Sequence, residues 1–116
     1  MPYHTLEVFR KAYQAALEIH RLSLKFPKFE QFEIARQLRE STKSIAANIA
    51  EGMGKQESYP EVRRYVRIAI GSCDETKVWL EFAKDLGYLN PREFEKWRDE
   101  YNTIGKMLRG ILRRYK

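Results

Sequence analysis

From Phe94 to Tyr115, apolar side chains return at alternating steps of three and four without a miss: Phe94, Trp97, Tyr101, Ile104, Leu108, Ile111 and Tyr115. That spacing traces one face of an α-helix, and such a face must be buried against something equally long. The same steps recur upstream. Residues 62–87 give Val62, Val66, Ala69, Cys73, Thr76, Leu80, Ala83 and Gly87. A second stripe on that segment, Tyr65, Ile68, Ser72, Glu75, Trp79, Phe82 and Leu86, makes the face wider than a two-helix seam. Residues 35–49 contribute Ala35, Leu38, Thr42, Ile45 and Ile49, and residues 6–24 contribute Leu6, Phe9, Tyr13, Leu17, His20 and Leu24. The period-two alternation of a half-buried strand occurs over no useful length. The fold class is all-α.

Prolines at positions 2, 27, 60 and 91 sit at the starts of elements, and glycine-rich breaks fall at 52–54 and at Gly87. Ser58-x-x-Glu61 reads as a capping box, and Asn90-Pro91-x-Glu93 sets a cap, a first-turn proline and an acid in order. Thr5 is the expected cap of the first helix. The second has no good capping residue, although Glu30 and Glu33 suit its dipole. Gly87 suits a left-handed helix stop. These signals place helices near 5–25, 30–53, 58–87 and 91–115. Long helices on short connections pack as antiparallel neighbours, so an up-down-up-down four-helix bundle is expected. With about 100–200 residues per domain, residues 1–116 make one domain. A lone cysteine excludes a disulfide framework and a multi-cysteine zinc site. No apolar stretch approaches the roughly 18 residues of a membrane span, and no signal-peptide pattern opens the chain. A cytoplasmic protein with no membrane partner is expected.

Charge is unevenly spread. Lys and Arg number 22 against 16 Asp and Glu, yet five of those bases and none of the acids lie in residues 101–116. The stripe Lys106, Arg109, Arg113 and Lys116 follows steps of three, four and three, with Arg114 beside it. A second cluster, Arg63, Arg64 and Arg67, occupies the first turns of the third helix, where the dipole favours acids. Both clusters are candidate phosphate-binding surfaces for RNA or DNA, binding by charge with little base readout. Tyr101 and Tyr115 continue the apolar stripe and are expected in the core or an interface rather than against bases.

Signals for catalysis are weak. The Glu-x-x-His pair of di-iron bundles does not occur, because Leu17 precedes His20 by three residues and Met1 precedes His4. His20 is expected as a hydrogen-bonded core or interface residue. Cys73 lies on a buried stripe beside Asp74 and Glu75, which push a thiol's pKa the wrong way for a nucleophile. Gly52-Met53-Gly54-Lys55 lacks the spacing of a phosphate loop and follows a helix. No metal, cofactor or catalytic residue is expected. Self-association has better support: Ala46, Ala47 and Ala50 form a small-residue face, and Gly71, Gly105 and Gly110 inside helices suit close backbone approach.

Five blocks carry a resemblance: Phe26-Pro27-Lys28, Gln37-Leu38-Arg39, Ser44-Ile45-Ala46-Ala47-Asn48-Ile49-Ala50-Glu51-Gly52-Met53-Gly54, Arg67-Ile68-Ala69-Ile70-Gly71-Ser72 and Asp85-Leu86-Gly87-Tyr88-Leu89. In order and spacing they resemble the "four helix bundle protein" family, named for members encoded in intervening sequences of bacterial 23S rRNA genes. That family is similar to the accessory variability proteins of diversity-generating retroelements. The resemblance implies a homopentamer with a basic outer surface, and a reverse transcriptase and nucleic acid as partners. It brings no catalytic residues. Asn48, Glu51, Gly52 and Gly54 read as structural, fixing the turn between helices two and three or a subunit contact. The expected function is a non-enzymatic, oligomeric bundle that binds nucleic acid through basic helix surfaces. It would serve an RNA- or reverse-transcriptase-containing complex as an accessory factor. The alternative is an oligomeric protein-interaction scaffold.

Overall fold

A computed structural model describes residues 2–116; Met1, the first residue of the expected 1–116 domain, lies outside them. Four helices carry the fold: α1 (Glu7–Ser23), α2 (Ile34–Met53), α3 (Tyr59–Asp85) and α4 (Pro91–Arg114). Short 3-10 turns at Tyr3–Thr5 and Lys28–Glu30 precede α1 and α2, and no strand occurs among the described residues. Helix α2 packs on α1 and α3, α3 packs on α4, and a lighter α1–α4 contact closes a bundle of 45 × 22 × 20 Å. No described helix is long and apolar enough to cross a membrane.

Helix ends follow local chemistry where the chain is unconstrained. Asn90 Oδ1 accepts from the Glu93 amide at 2.8 Å while Glu93 Oε1 accepts from the Asn90 amide at 3.0 Å, so the expected cap of α4 is a full capping box. Gly87 takes φ +84° and lets α3 end in a Schellman motif, its amide donating to Lys84 O and the Tyr88 amide to Ala83 O. Two expected caps are not used. Ser58 stands at the N-cap of α3 without a side-chain bond: the Glu61 amide donates to the Ser58 carbonyl at 3.1 Å, and the Glu61 carboxylate pairs with Arg64 at 3.5 Å. Thr5 Oγ1 donates back to Pro2 O at 2.9 Å, leaving Leu6 as the N-cap of α1.

Helix α2 starts at Ile34, not near residue 30, because long-range bonds hold the intervening chain in another shape. Glu30 is buried and its carboxylate accepts from Tyr88 Oη at 2.6 Å, tying the α1–α2 connection to the α3–α4 connection. Gln31 Nε2 donates to Ser23 O and Phe26 O, and Arg39 reaches back to Gln31 O at 2.6 Å and Ser23 Oγ at 2.8 Å.

The core face of α1 also differs from expectation. Val8, Ala12, Ala15 and Ile19 are buried, whereas Phe9, Leu17 and His20 are half-buried and Tyr13 and Leu24 are exposed. Small residues let α1 sit close to the bundle, which leaves the bulkier stripe beside the contact. Gly71, Gly105 and Gly110 have no neighbouring helix backbone within 4 Å, so close approach inside the subunit does not account for them. Gly52 is the tight point: a Cβ there would stand 3.2 Å from Tyr65 Cβ.

Tyr101 lies at the centre of the core, fully buried, and its hydroxyl has no hydrogen-bond partner among the described residues. Burial there drives its pKa upward, so it stays protonated. An unpaired buried hydroxyl costs about 1–3 kcal/mol, and removing it leaves the ring's shape intact. Tyr101→Phe should therefore stabilise the protein by about 1 kcal/mol, read as a higher denaturant midpoint; a lower midpoint would mean the hydroxyl has a partner.

Candidate nucleic-acid interface

In an antiparallel bundle the start of α3 adjoins the end of α4, and this brings together the two basic clusters. Arg63 and Arg67, one turn apart on α3, meet Arg113 of α4 and Lys116 just past its end around Leu112, lining an open hollow of about 450 Å³ with no acidic wall. Arg67, Arg113 and Lys116 are exposed and Arg63 is half-buried. None of the four forms an ion pair with a described residue. The nearby acid Glu61 is committed to Arg64, whose guanidinium also lies 5.0 Å from the Tyr65 ring centroid.

The other expected site residues lie around this hollow. Arg109 is exposed one turn back on α4, with Nη1 near Gly105, and Lys106 is exposed beyond it. Arg114 turns the other way, into a neighbouring hollow of about 260 Å³ that includes Leu6, Met53, Tyr59, Ile111 and Tyr115. Tyr115 is half-buried and its Oη accepts from Gln56 Nε2 at 2.8 Å. Tyr59, which the sequence reading passed over, is 49% exposed. Its signal was legible: it sits four residues before Arg63, hence on the same helix face.

The block from Ser44 to Gly54 has a different setting. Asn48 Nδ2 donates to Ser44 O at 2.8 Å and Ser44 Oγ at 3.1 Å, and Ser44 Oγ meets Ser72 Oγ across the α2–α3 contact at 2.9 Å. Glu51 is exposed and makes a loose 3.8 Å pair with Lys55. Gly54 caps α2 at φ −75°.

On the opposite side of α2, an apolar groove of about 540 Å³ runs along α1, with Phe9, Tyr13, Leu17, Ala47 and Ala50 among its walls. His20 and Lys43 stand at this groove, Lys43 Nζ donating to His20 Nδ1 at 3.0 Å. Desolvation first, and then the charges of Lys43, Arg39 and Arg21, hold the imidazole below its ordinary pKa, so it is neutral at pH 7.

The profile of the family described as 23S rRNA-intervening sequence protein matches residues 4–110. The chain belongs to that family. One solved structure, a protein of unknown function from Bacteroides thetaiotaomicron described as from the S23 ribosomal protein family, superposes with a TM-score of 0.81. It is 31% identical, over 90% of this chain and 97% of that one. No protein among those with curated functions matches the chain. Neither the family's description nor that of its structural relative names a catalytic activity.

Cys73 is buried among apolar side chains, and that burial, with Asp74 beside it, pushes its thiol from 9.0 up to about 12. At neutral pH it is a protonated, small apolar residue. No group of three or more metal-ligating side chains occurs among the described residues. Alkylation of the native protein by iodoacetamide at pH 8 should proceed only through opening of the chain and accelerate strongly in denaturant. Equal rates with and without denaturant would reveal an accessible thiolate.

Proposed function

We propose that this family member is a non-enzymatic, self-associating bundle that binds RNA or DNA by its phosphates where α3 meets α4. One observation carries the reading: Arg63, Arg67, Arg113 and Lys116 converge from two helices on a hollow without an acid. Like charges held together repel one another, and a polyanion offsets that repulsion while releasing its own counterions. Lys106 and Arg109 extend the cationic track along α4, and Arg64 and Arg114 flank it. Phosphate contacts of this kind position a strand without reading its sequence. The family resemblance points further, to an accessory role in an RNA- or reverse-transcriptase-containing complex.

Self-association draws support from the apolar surface. Besides the α1–α2 groove, Ile68, Val78 and Phe82 of α3 and Leu86 at its C-cap are each 41–51% exposed. The groove carries Lys43 at its edge, and the exposed apolar residues between 68 and 86 are interleaved with Asp74, Glu75, Glu81 and Asp85 against Lys77 and Lys84, so acids exceed bases on that stripe. A second copy of the chain therefore offers complementary shape and charge. A contact between two different faces propagates head to tail, and it closes into a ring when the rotation from one subunit to the next divides a full turn. By the family resemblance, the ring we propose has five subunits. If instead the groove serves a different protein, the molecule is an interaction scaffold and its cations are incidental.

The two readings part on charge. Wild-type protein should shift a labelled oligonucleotide with an affinity that falls steeply as salt rises, by about 0.7–0.9 in log K per log salt for each phosphate contact. The double variant R67E/R113E should lose at least tenfold in affinity and flatten that slope. Retention of binding by the double variant, or affinity independent of salt, would sink the phosphate-binding reading. Separately, Phe82→Glu should lower the mass measured by light scattering; an unchanged mass would remove the α3 stripe from the subunit contact.

A further inference from the structure

The basic hollow does not end in plain surface. Tyr59, Arg63 and Arg67 occupy positions i, i+4 and i+8 of α3, so they form one line with steps of about 6 Å along the helix. At the head of that line Tyr59 borders the second hollow, whose floor is the buried Met53 and Ile111 and whose wall includes Leu6 and Arg114. Tyr59 meets the Tyr115 ring in a T-shaped contact, centroids 4.8 Å apart and planes at 69°. Such a contact uses at most one face of the Tyr59 ring. Tyr115 is in turn anchored through its hydroxyl to Gln56. Pro60 follows Tyr59 directly in the first turn of α3, where its locked φ stiffens the backbone that carries the ring.

We infer that the nucleic acid held at the α3–α4 junction is single-stranded, and that one unpaired base is taken against Tyr59 while its flanking phosphates lie on Arg63, Arg67 and Arg113. The inference rests on the phosphate-binding reading of the basic hollow and adds the class of strand it takes. A flat π-system beside an apolar floor is matched by a base face, which stacks on an aromatic ring regardless of sequence. Inside a duplex those faces are already stacked on their neighbours, so a helix could use the cations but not Tyr59. The second hollow has the volume for one base, and among its walls Arg114 supplies a cation and no residue supplies an acid. A bare anion would need the cations alone and would leave the aromatic end of the line unused.

Fluorescence anisotropy with a labelled single-stranded 12-mer and with the same sequence as a blunt duplex tests this at one salt concentration. The wild type should prefer the single strand. Tyr59→Ala should weaken single-strand binding by about 5- to 150-fold, the worth of one stacked base, and leave duplex affinity and the salt slope unchanged. Tyr59→Phe should bind as wild type. Equal binding of the single strand by Tyr59→Ala and wild type, or equal loss for both strands, would overturn the stacking site. R67E/R113E separates the two levels: if it too binds normally, the phosphate reading fails, and if it alone loses binding, only the base site fails. Should Tyr59→Ala not fold, Tyr59→Trp provides the readout. A stacked base should quench the added indole fluorescence at saturating oligonucleotide, and an unquenched indole would reject the proposal.

Discussion

Helix α3 is held to α2 by small and hydroxyl-bearing side chains, and everything at the functional end of the molecule depends on that contact. Gly52 lets the backbones come close enough that a Cβ would crowd Tyr65. Thr76 Oγ1 donates to Ser41 Oγ at 2.8 Å, and Ser44 and Ser72 share a hydrogen bond at 2.9 Å. Each such bond contributes about 1 kcal/mol net, less than a buried leucine, but buried hydroxyls left unpaired would be costly, so the register has one good solution. With α3 so placed, α4 packs along it through Phe94, Trp97, Tyr101, Ile104 and Leu108. The last turn of α4 then comes to rest beside the first turns of α3.

The electrostatics follow from this topology. An excess of six positive charges over 116 residues says little when spread evenly. Antiparallel packing concentrates it, because the acid-free end of α4 lies next to the arginine-rich start of α3. Among the described residues, the only ion pair these arginines make is the exposed one between Arg64 and Glu61, a contact of at most modest strength in water. The opposite end of the bundle is held by a hydrogen bond instead, from the Tyr88 hydroxyl to the buried Glu30 carboxylate.

Much of the architecture was legible in the residues. The α4 period, the Asn90 cap and the Gly87 stop all depend on atoms within a turn or two along the chain, and all are present. The side-chain bonds expected of Ser58 and Thr5 did not form, because the Glu61 amide donates to the Ser58 carbonyl and the Thr5 hydroxyl to Pro2 O, choices that propensity does not describe. Helix α1 misled for a different reason. It carries two apolar stripes, and hydrophobicity favours the one with Phe9, Tyr13 and Leu17. Packing chose Val8, Ala12, Ala15 and Ile19, because small side chains allow a closer helix–helix distance. The same choice created the apolar groove, which the alanines at 46, 47 and 50 only hinted at.

The chain by itself determined that there are four helices, where three of the four begin and end within a few residues, and that positive charge gathers in two short runs. Those properties arise from neighbours a few residues apart, which the order of amino acids specifies directly. Only the tertiary structure decided which face of α1 is buried, why residues 28–33 avoid the helix, and that Arg63 and Arg67 share a hollow with Arg113 and Lys116. These outcomes join residues from distant parts of the chain. They are set by side-chain volume, by the pairing of buried polar groups and by the direction in which each helix runs past the next.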